Sequence, residues 1–292
     1  MKIACTIHSL RGGGAERVMA ALASRVAKDH DVTLITLDRA ANDRYPCEAA
    51  VRRVGLDVLA DSRSSIDAVV QNRRRIIKLR QAIIDASPDV VLSFCDRMNI
   101  VALAACKPLR IPVVVSERTQ PAYQHIGPSW SLLRRWYYRS AAAVVVQTQA
   151  AGTTVAKWTR SPIVVIPAAI DPPPPDVIGR GVAAETRTLV SVGRLSPEKQ
   201  VDRLIDAFAA LPPELNPWRL KIYGEGVCRV TLQDQIDRRQ VGDRVQLLPW
   251  VQDVWSIFET SRSVCIDQSI RRFQRVAGSD GGGSPLFVRR LR

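Results

Sequence analysis

Short apolar runs alternate with amphipathic stretches from the N-terminus to about residue 260. The runs have the length and the β-branched content of buried strands, and the stretches between them repeat apolar positions every three or four residues, as helices do. Such alternation is typical of parallel sheets that are covered by helices on both faces. The predicted strands are 2–7, 32–37, 89–94, 112–117, 143–148, 188–194, 219–226 and 244–250.

Four consecutive prolines at 172–175 interrupt this alternation, because proline continues neither a helix nor an inner strand. We therefore expect an α/β protein made of two Rossmann-like domains that face each other across a cleft. The first domain is predicted at 1–170, a proline-rich linker at 171–187 and an incomplete second domain at 188–260. Periodicity is lost in the tail at 261–292, which carries seven Arg and two acidic residues and is predicted to be disordered or foreign sequence.

The charge of the chain favours anionic partners, since 42 Lys and Arg residues outnumber 28 Asp and Glu residues and give a net charge of +14. Nucleic acid, an anionic membrane surface and phosphorylated substrates all fit this charge. The six cysteines form no CxxC pair and there are only three histidines, which argues against a disulfide framework or a metal site. No apolar run approaches the roughly 18 residues that span a bilayer, and the N-terminus lacks the pattern of a signal peptide. The expected location is therefore the cytoplasm.

A run of three glycines, 12–14, lies between the first predicted strand and the first predicted helix. Glycines let the backbone approach a ligand closely, and the amino end of the helix offers N–H donors that suit a phosphate. The run matches neither GxGxxG nor a P-loop, so a tight strand-to-helix connection explains it equally well.

Two further glycine turns follow strands in the second half. Gly193 and Arg194 end one strand and Lys199 follows shortly after, at the edge where ligands of α/β proteins bind. An Arg fork and a Lys point charge can together neutralise a diphosphate, although ordinary surface cations would show the same pattern. Gly224 and Glu225 end the next strand, where Glu225 is either a ligand contact or a turn residue.

The order of these motifs resembles that of glycosyltransferase family 4, whose members are retaining enzymes with the GT-B fold. The motifs are GGAERV, VIPxxID, SVGRLxxEKxxDxLIxAFA, LxIxGEG and RVxLLxW, and they cover about residues 1–260. The opening and the SERTQP segment are similar to those of bacterial transferases that add N-acetylgalactosamine to undecaprenyl-diphosphate-linked glycans. The resemblance implies a nucleotide-sugar donor, expected to be a UDP-sugar, a glycan or polyprenyl-diphosphate-linked acceptor, and no cofactor or metal.

The resemblance also implies roles for individual residues. Arg194 and Lys199 correspond to the pair that holds the diphosphate of the donor, where negative charge grows as the glycosidic bond breaks. Glu117 occupies a position where many family members have histidine and is the catalytic candidate. The remaining expected contacts are Gly13 and Gly14 in the donor and acceptor loop, and Gly193, Gly224, Glu225, Leu248 and Pro249 around the nucleotide.

Two basic segments are candidates for peripheral contact with the anionic inner face of the cell membrane. The predicted helix at 128–141 interleaves Trp, Tyr and Leu with Arg134, Arg135 and Arg139, and the second segment contains Arg73, Arg74, Arg75, Lys78 and Arg80. A packed surface helix with solvated arginines explains the first segment equally well, and a solvated face is the default explanation of the second. No specific nucleic-acid partner is expected.

Family members continue with an EGF turn and a second glutamate, which this sequence lacks. Residues 264–289 can encode such a segment when they are read one nucleotide later, so we expect a shifted reading frame and impaired transfer. The alternative function is a non-catalytic protein that binds nucleotides or polyanions. An NAD-dependent enzyme is disfavoured because GxGxxG and its acidic ribose ligand are missing.

Overall fold

The structure, a computed structural model, describes residues 1–60, 64–168, 187–258, 263–265 and 286–287. It divides into two compact units, Met1–Ile170 and Asp171–Arg292, called unit 1 and unit 2 below. Each unit has a parallel sheet and an apolar core of its own. The predicted linker up to residue 186 and most of the predicted tail lie outside the described residues.

Unit 1 contains a seven-stranded parallel sheet in the order β3-β2-β1-β4-β5-β6-β7. Every strand predicted for this half is present, whereas β3 and β7 were not predicted. The strands are β1 (Lys2–Ile7), β2 (Asp31–Thr36), β3 (Val51–Gly55), β4 (Val90–Phe94), β5 (Val113–Ser116), β6 (Ala143–Val146) and β7 (Ile163–Val165). The helices are α1 (Gly14–Val26), α2 (Ser65–Ala86), α3 (Asp96–Cys106), α4 (Pro128–Tyr137) and α5 (Gln149–Val155).

The direction of strand addition reverses between β1 and β4, which are neighbours in the sheet. In α/β sheets such a reversal leaves a crevice outside the carboxyl ends of the two strands, because the following helices go to opposite faces. The residues that follow β1 and β4 therefore occupy the edge where unit 1 is best suited to bind a ligand.

Helices α2 and α3 pack against each other, but they differ in exposure. All residues of α3 from Met98 onwards are buried. Helix α2 begins after Ser64, whose hydroxyl accepts a hydrogen bond from the Asp67 N–H at 3.1 Å, and it ends at Ser87 in the left-handed conformation. Several large apolar side chains of α2 remain exposed. Among the described residues, no helix combines the length and the apolar character needed to cross a membrane.

Unit 2 contains a five-stranded parallel sheet in the order β10-β9-β8-β11-β12. Its strands are β8 (Thr188–Val192), β9 (Arg219–Tyr223), β10 (Val245–Leu248), β11 (Ser263–Cys265) and β12 (Leu286–Phe287). Its helices are α6 (Val201–Ala209), α7 (Arg229–Arg238) and α8 (Trp255–Phe258). Strands β11 and β12 lie in the tail at 261–292 and were not predicted. Strand β11 is short and carries one β-branched residue, so its parallel pairing with β8, and not its own periodicity, defines it.

Candidate functional site

The carboxyl ends of β8, β9 and β10 meet at one edge of unit 2. Because the strands are parallel neighbours, the loops that follow them lie side by side. The N–H of Gly193 donates to the Tyr223 carbonyl at 3.0 Å, and the N–H of Gly224 donates to the Leu248 carbonyl at 3.1 Å. The sheet thus brings together three of the sequence-predicted nucleotide contacts, Gly193, Gly224 and Leu248, with Glu225 and Pro249 adjacent in the chain.

Two of these loops approach each other so closely that only glycine fits. A Cβ on Gly224 would overlap the carbonyl oxygen of Gly193, and one on Gly226 would overlap the carbonyl oxygen of Leu195. The Leu195 N–H also donates to the Glu225 carbonyl at 2.9 Å. The glycines of the GEG motif therefore fix the distance between the loops after β8 and β9, whether or not they contact a ligand.

Arg194 and Lys199 lie on the same loop, on either side of Glu198. Burial by itself would raise the pKa of Glu198, but a hydrogen bond from the Ser196 hydroxyl at 2.7 Å and the charges of Arg194 and Lys199 hold it below its ordinary value. Both cations are thus close enough to act on one carboxylate. Arg194 is exposed, so its guanidinium is accessible to an anion.

Arg229 braces the loops of unit 2 and was missed by the sequence reasoning. Its guanidinium donates to the carbonyls of Gly224 at 3.2 Å, Leu247 at 3.1 Å and Leu248 at 3.4 Å. It also forms an ion pair with Glu225 at 3.5 Å, between side chains that are both partly exposed. The four-residue spacing of Glu225 and Arg229 was the available signal. We interpret Glu225 as a partner of this brace.

The glycine turn of unit 1 is occupied by a side chain of its own helix. The Glu16 carboxylate accepts hydrogen bonds from the Gly12 N–H at 2.9 Å and from the Gly13 N–H, and its other oxygen accepts from the Ser9 hydroxyl at 2.5 Å. This corrects the expectation that the N–H donors of the turn are free for a phosphate, because a carboxylate already satisfies two of them. Gly14 is exposed and has open space around its Cα.

Glu117 is buried, with 1% of its surface exposed. Its Oε1 accepts a hydrogen bond from the Tyr138 hydroxyl at 2.5 Å and lies 3.6 Å from Arg134 Nη1. Desolvation raises the pKa of Glu117 to about 7, against the opposing effects of Tyr138 and Arg134. The expectation of a catalytic Glu117 is corrected accordingly: a carboxylate without exposed surface does not contact a substrate in this arrangement. We interpret it as a positioning residue beneath the loop after β5.

Another polar cluster that the sequence reasoning missed follows β4 and β5. Asp96 Oδ2 accepts from the Gln124 side chain at 2.7 Å, and Gln124 Oε1 accepts from the Thr119 hydroxyl at 2.7 Å. Cys95 precedes this cluster with φ of 74°, an unusual value for a residue other than glycine. Desolvation lowers the pKa of His8, at the end of β1, while the Asp96 charge acts in the opposite direction. These residues occupy the edge where the strand order reverses.

Two family models match the chain, and together they cover most of its length. The model described as Glycosyltransferase Family 4 matches residues 12–173. The model described as Glycosyl transferases group 1 matches residues 179–270. The chain belongs to glycosyltransferase family 4. It is therefore an enzyme of the hexosyltransferase class.

A curated relative of this family 4 glycosyltransferase comes from Campylobacter jejuni. It is named GalNAc-α-(1→4)-GalNAc-α-(1→3)-diNAcBac-PP-undecaprenol α-1,4-N-acetyl-D-galactosaminyltransferase. The two chains are 27% identical over 270 residues, which are 91% of this chain and 72% of the relative. An uncharacterized glycosyltransferase of Haemophilus influenzae is 30% identical over 82 residues, which cover 28% of this chain and 23% of that protein.

Solved glycosyltransferase structures share the fold. HepE of Anabaena, solved in complex with UDP and glucose, superposes with a TM-score of 0.66 at 20% identity and covers 90% of this chain and 73% of its own. WaaG, a glycosyltransferase involved in lipopolysaccharide biosynthesis, superposes with a TM-score of 0.68 at 16% identity, with 90% and 74% covered. The predicted GT-B fold of paired Rossmann-like units is thereby confirmed.

The basic segments of the glycosyltransferase are only partly as expected. Arg134 and Tyr138 are buried, and the Arg134 guanidinium lies 4.2 Å from the Trp158 ring centre. Arg80 donates to the carbonyls of Ala104 and Ala105, and Arg75 donates to those of Val58 and Ala60. These four side chains are therefore structural, because each is held by partners inside unit 1. Exposed residues of the two segments include Arg73, Arg74, Lys78, Leu132, Arg135, Trp136 and Arg139.

Proposed function

We propose that this glycosyltransferase transfers a sugar from a UDP-sugar to a glycan carried on a polyprenyl diphosphate. The interlocked loops at the carboxyl edge of β8, β9 and β10 carry the proposal, because they present the Arg194 and Lys199 pair beside a backbone that only glycine permits. The similarity to HepE, which was solved with UDP, and to the Campylobacter transferase supports the choice of donor and acceptor.

The proposed chemistry uses the two cations on the leaving group. When the glycosidic bond to the nucleoside diphosphate breaks, negative charge develops on the departing phosphate oxygen. A guanidinium fork from Arg194 and the ammonium of Lys199 stabilise that charge more strongly than they stabilise the intact donor, which lowers the barrier. The Arg229 brace keeps the loops in place, so the cations need little reorganisation during the reaction.

A nucleotide panel tests the donor half of the proposal. The thermal unfolding midpoint of the full chain is measured with UDP, GDP and ADP at equal concentrations. We expect UDP to raise the unfolding midpoint most, because the proposed donor is a UDP-sugar. A ligand that binds only the folded state stabilises that state by about 2.7 kcal/mol when it is present at about 100 times its Kd. A larger shift with GDP or ADP would replace the UDP assignment, and no shift with any of them would contradict nucleotide binding.

We further propose that unit 1 contacts an anionic membrane through α2 and α4, which both pack against α3. Five apolar side chains of α2 lie at helical spacing and expose between 45% and 79% of their surface: Ile66, Val69, Val70, Ile77 and Ile84. Arg73 and Arg74 are exposed among them, and α4 adds Leu132 and Trp136. Apolar and basic side chains on one helix surface suit the headgroup region of anionic lipid, where a lipid-linked acceptor is found.

A further inference from the structure

Arg118 follows the buried Glu117 and extends across the carboxyl edge of the unit 1 sheet. Its guanidinium carbon lies 4.8 Å from the centre of the Phe94 ring, at the end of β4. In the orientation that satisfies both atoms of its amide, the Gln147 side chain, just after β6, accepts from Arg118 Nη2 at 3.3 Å and donates to the Arg118 carbonyl at 3.1 Å. The side chain is therefore held across the ends of three neighbouring strands.

Among the described residues, no acidic side chain compensates the desolvated positive charge of Arg118. Within the described part of the chain, no carboxylate lies within ion-pair distance of Arg118, and its Nε is buried without a hydrogen-bond partner. Burial lowers the pKa of Arg118, and the side chain of Cys95 acts in the opposite direction. The acidic groups nearby have other partners: Glu117 binds Tyr138, and Asp96 binds Gln124.

A half-buried cation without a counterion costs free energy, because its lost hydration is not replaced. Such groups persist where a ligand supplies the missing charge, and perturbed cations in a ligand-binding edge mark functional sites. The edge in question lies next to the strand-order reversal of unit 1, where α/β sheets bind ligands. Gln120 Oε1, two residues further along, is also buried without a partner and offers an acceptor for a hydroxyl group beside the anion.

We propose that Arg118 is an anion-binding residue of unit 1 that holds a diphosphate group through its guanidinium charge. The inference deepens the proposed function, on which it rests for the class of ligand. The glycine turn is a weaker candidate for this role in the present arrangement, since Glu16 occupies the N–H groups of Gly12 and Gly13. A diphosphate occurs both in a nucleotide-sugar donor and in a polyprenyl-linked acceptor, and the experiment separates these two sources.

The test uses the full chain with Arg194→Ala as background, so that the proposed diphosphate site of unit 2 is weakened. Geranyl diphosphate, a soluble prenyl diphosphate, is titrated by calorimetry. We expect Arg118→Gln to weaken its binding at least tenfold, Arg118→Lys to weaken it less because the charge remains, and the exposed control Arg25→Gln to leave it unchanged. Two results would overturn an acceptor site at Arg118. One is equal affinity of Arg118→Gln and Arg25→Gln for geranyl diphosphate, and the other is no binding of geranyl diphosphate by the Arg194→Ala chain itself.

Titration of UDP into chains that keep Arg194 tests whether the diphosphate bound by Arg118 belongs to the donor. Loss of UDP affinity in Arg118→Gln alone would assign the anion to the donor, and unchanged affinity for both probes would refute an anion site at Arg118. If Arg118→Gln binds both probes unchanged and UDP still binds, the Arg118 proposal fails while the proposed nucleotide site of unit 2 remains. Failure of the Arg118 proposal is therefore distinguishable from failure of the proposed function.

The unfolding midpoint separates a binding role from a structural one. Removing an uncompensated charge should leave the midpoint of Arg118→Gln unchanged or raise it, whereas a side chain kept for stability would lower it by several degrees. A fall of that size would overturn the proposal even if diphosphate binding were weakened.

Discussion

At the scale of single residues, the geometry of the unit 2 site depends on close contact between the backbones of two loops. The carbonyls of Gly193 and Leu195 occupy the space that side chains on Gly224 and Gly226 would need. The motif in the sequence indicated a ligand turn, but the structure gives a second reason for its glycines, which is contact between two loops.

Gly224→Ala should destabilise the chain by at least about 2 kcal/mol and weaken UDP binding, since the new Cβ forces the loops after β8 and β9 apart. Gly14→Ala is the matched control for stability, because nothing lies within 4 Å of its Cβ position. Urea unfolding and UDP titration measure both effects. Similar unfolding free energies for the two variants would contradict the close-packing explanation.

Glu117 makes stability depend on pH. The folded state keeps the proton of this carboxyl up to a pH of about 7, against an ordinary pKa of 4.5. The folded state therefore binds more protons than the unfolded chain between these values, and the contribution of Glu117 to the free energy of unfolding falls as pH rises through this window. The loss amounts to at most roughly 3 kcal/mol.

We therefore expect Glu117→Gln to flatten the dependence of unfolding free energy on pH between about 5 and 7, while the amide oxygen of the new side chain would still accept from Tyr138. Urea unfolding of both proteins across this range checks the expectation, since the other titrating groups are shared. Parallel pH profiles would show that Glu117 is not protonated in the folded state.

At the scale of elements, the glycine turn shows what sequence patterns miss. GGAERV predicted the turn and the start of α1 within a residue, because both depend on local chemistry. It could not predict that Glu16 folds back onto the Gly12 and Gly13 N–H groups, since that bond depends on the exact backbone path and on Ser9. Similarly, the arginines of α2 looked alike in sequence, and only tertiary contacts distinguish Arg75 from the exposed Arg73.

Glu16→Ala should lower the free energy of unfolding by about 1–2 kcal/mol, the range known for helix caps, because Ser9 and two N–H groups lose their acceptor. Glu16→Gln keeps one carbonyl oxygen and should cost less. Thermal unfolding of the three proteins tests this order, and a Glu16→Ala variant as stable as the original would refute the cap.

Helix α2 should carry a measurable share of membrane binding. Reversing Arg73 and Arg74 to Glu should strongly reduce sedimentation with vesicles that contain phosphatidylglycerol at low salt, since each basic residue near an anionic surface contributes about 1 kcal/mol. Reversing the exposed Arg25, in the last turn of α1, and Lys28, just after α1, matches the change in charge and should have a smaller effect. Equal losses would indicate that net charge, and not this surface, drives binding.

At the scale of the whole molecule, the order of strands and helices was readable because parallel α/β units repeat a strong apolar pattern. That pattern predicts five strands of the first sheet, three strands of the second sheet and the loops bearing Arg194 and Gly224. Strands β3 and β11 were not predicted, because their short sequences alone do not define a strand and pairing with β2 and β8 does. The shifted frame and the impaired transfer stay predictions, since 266–285 lie outside the described residues.

The central claim is that unit 2 binds a nucleoside diphosphate through Arg194. Calorimetric titration of UDP into the full chain, into Arg194→Ala and into the exposed control Arg203→Ala tests it most directly. A charge-assisted hydrogen bond contributes about 1.5–3 kcal/mol, so we expect Kd to rise roughly 10- to 100-fold in Arg194→Ala and to stay constant in Arg203→Ala. Identical affinities in all three proteins would contradict the account.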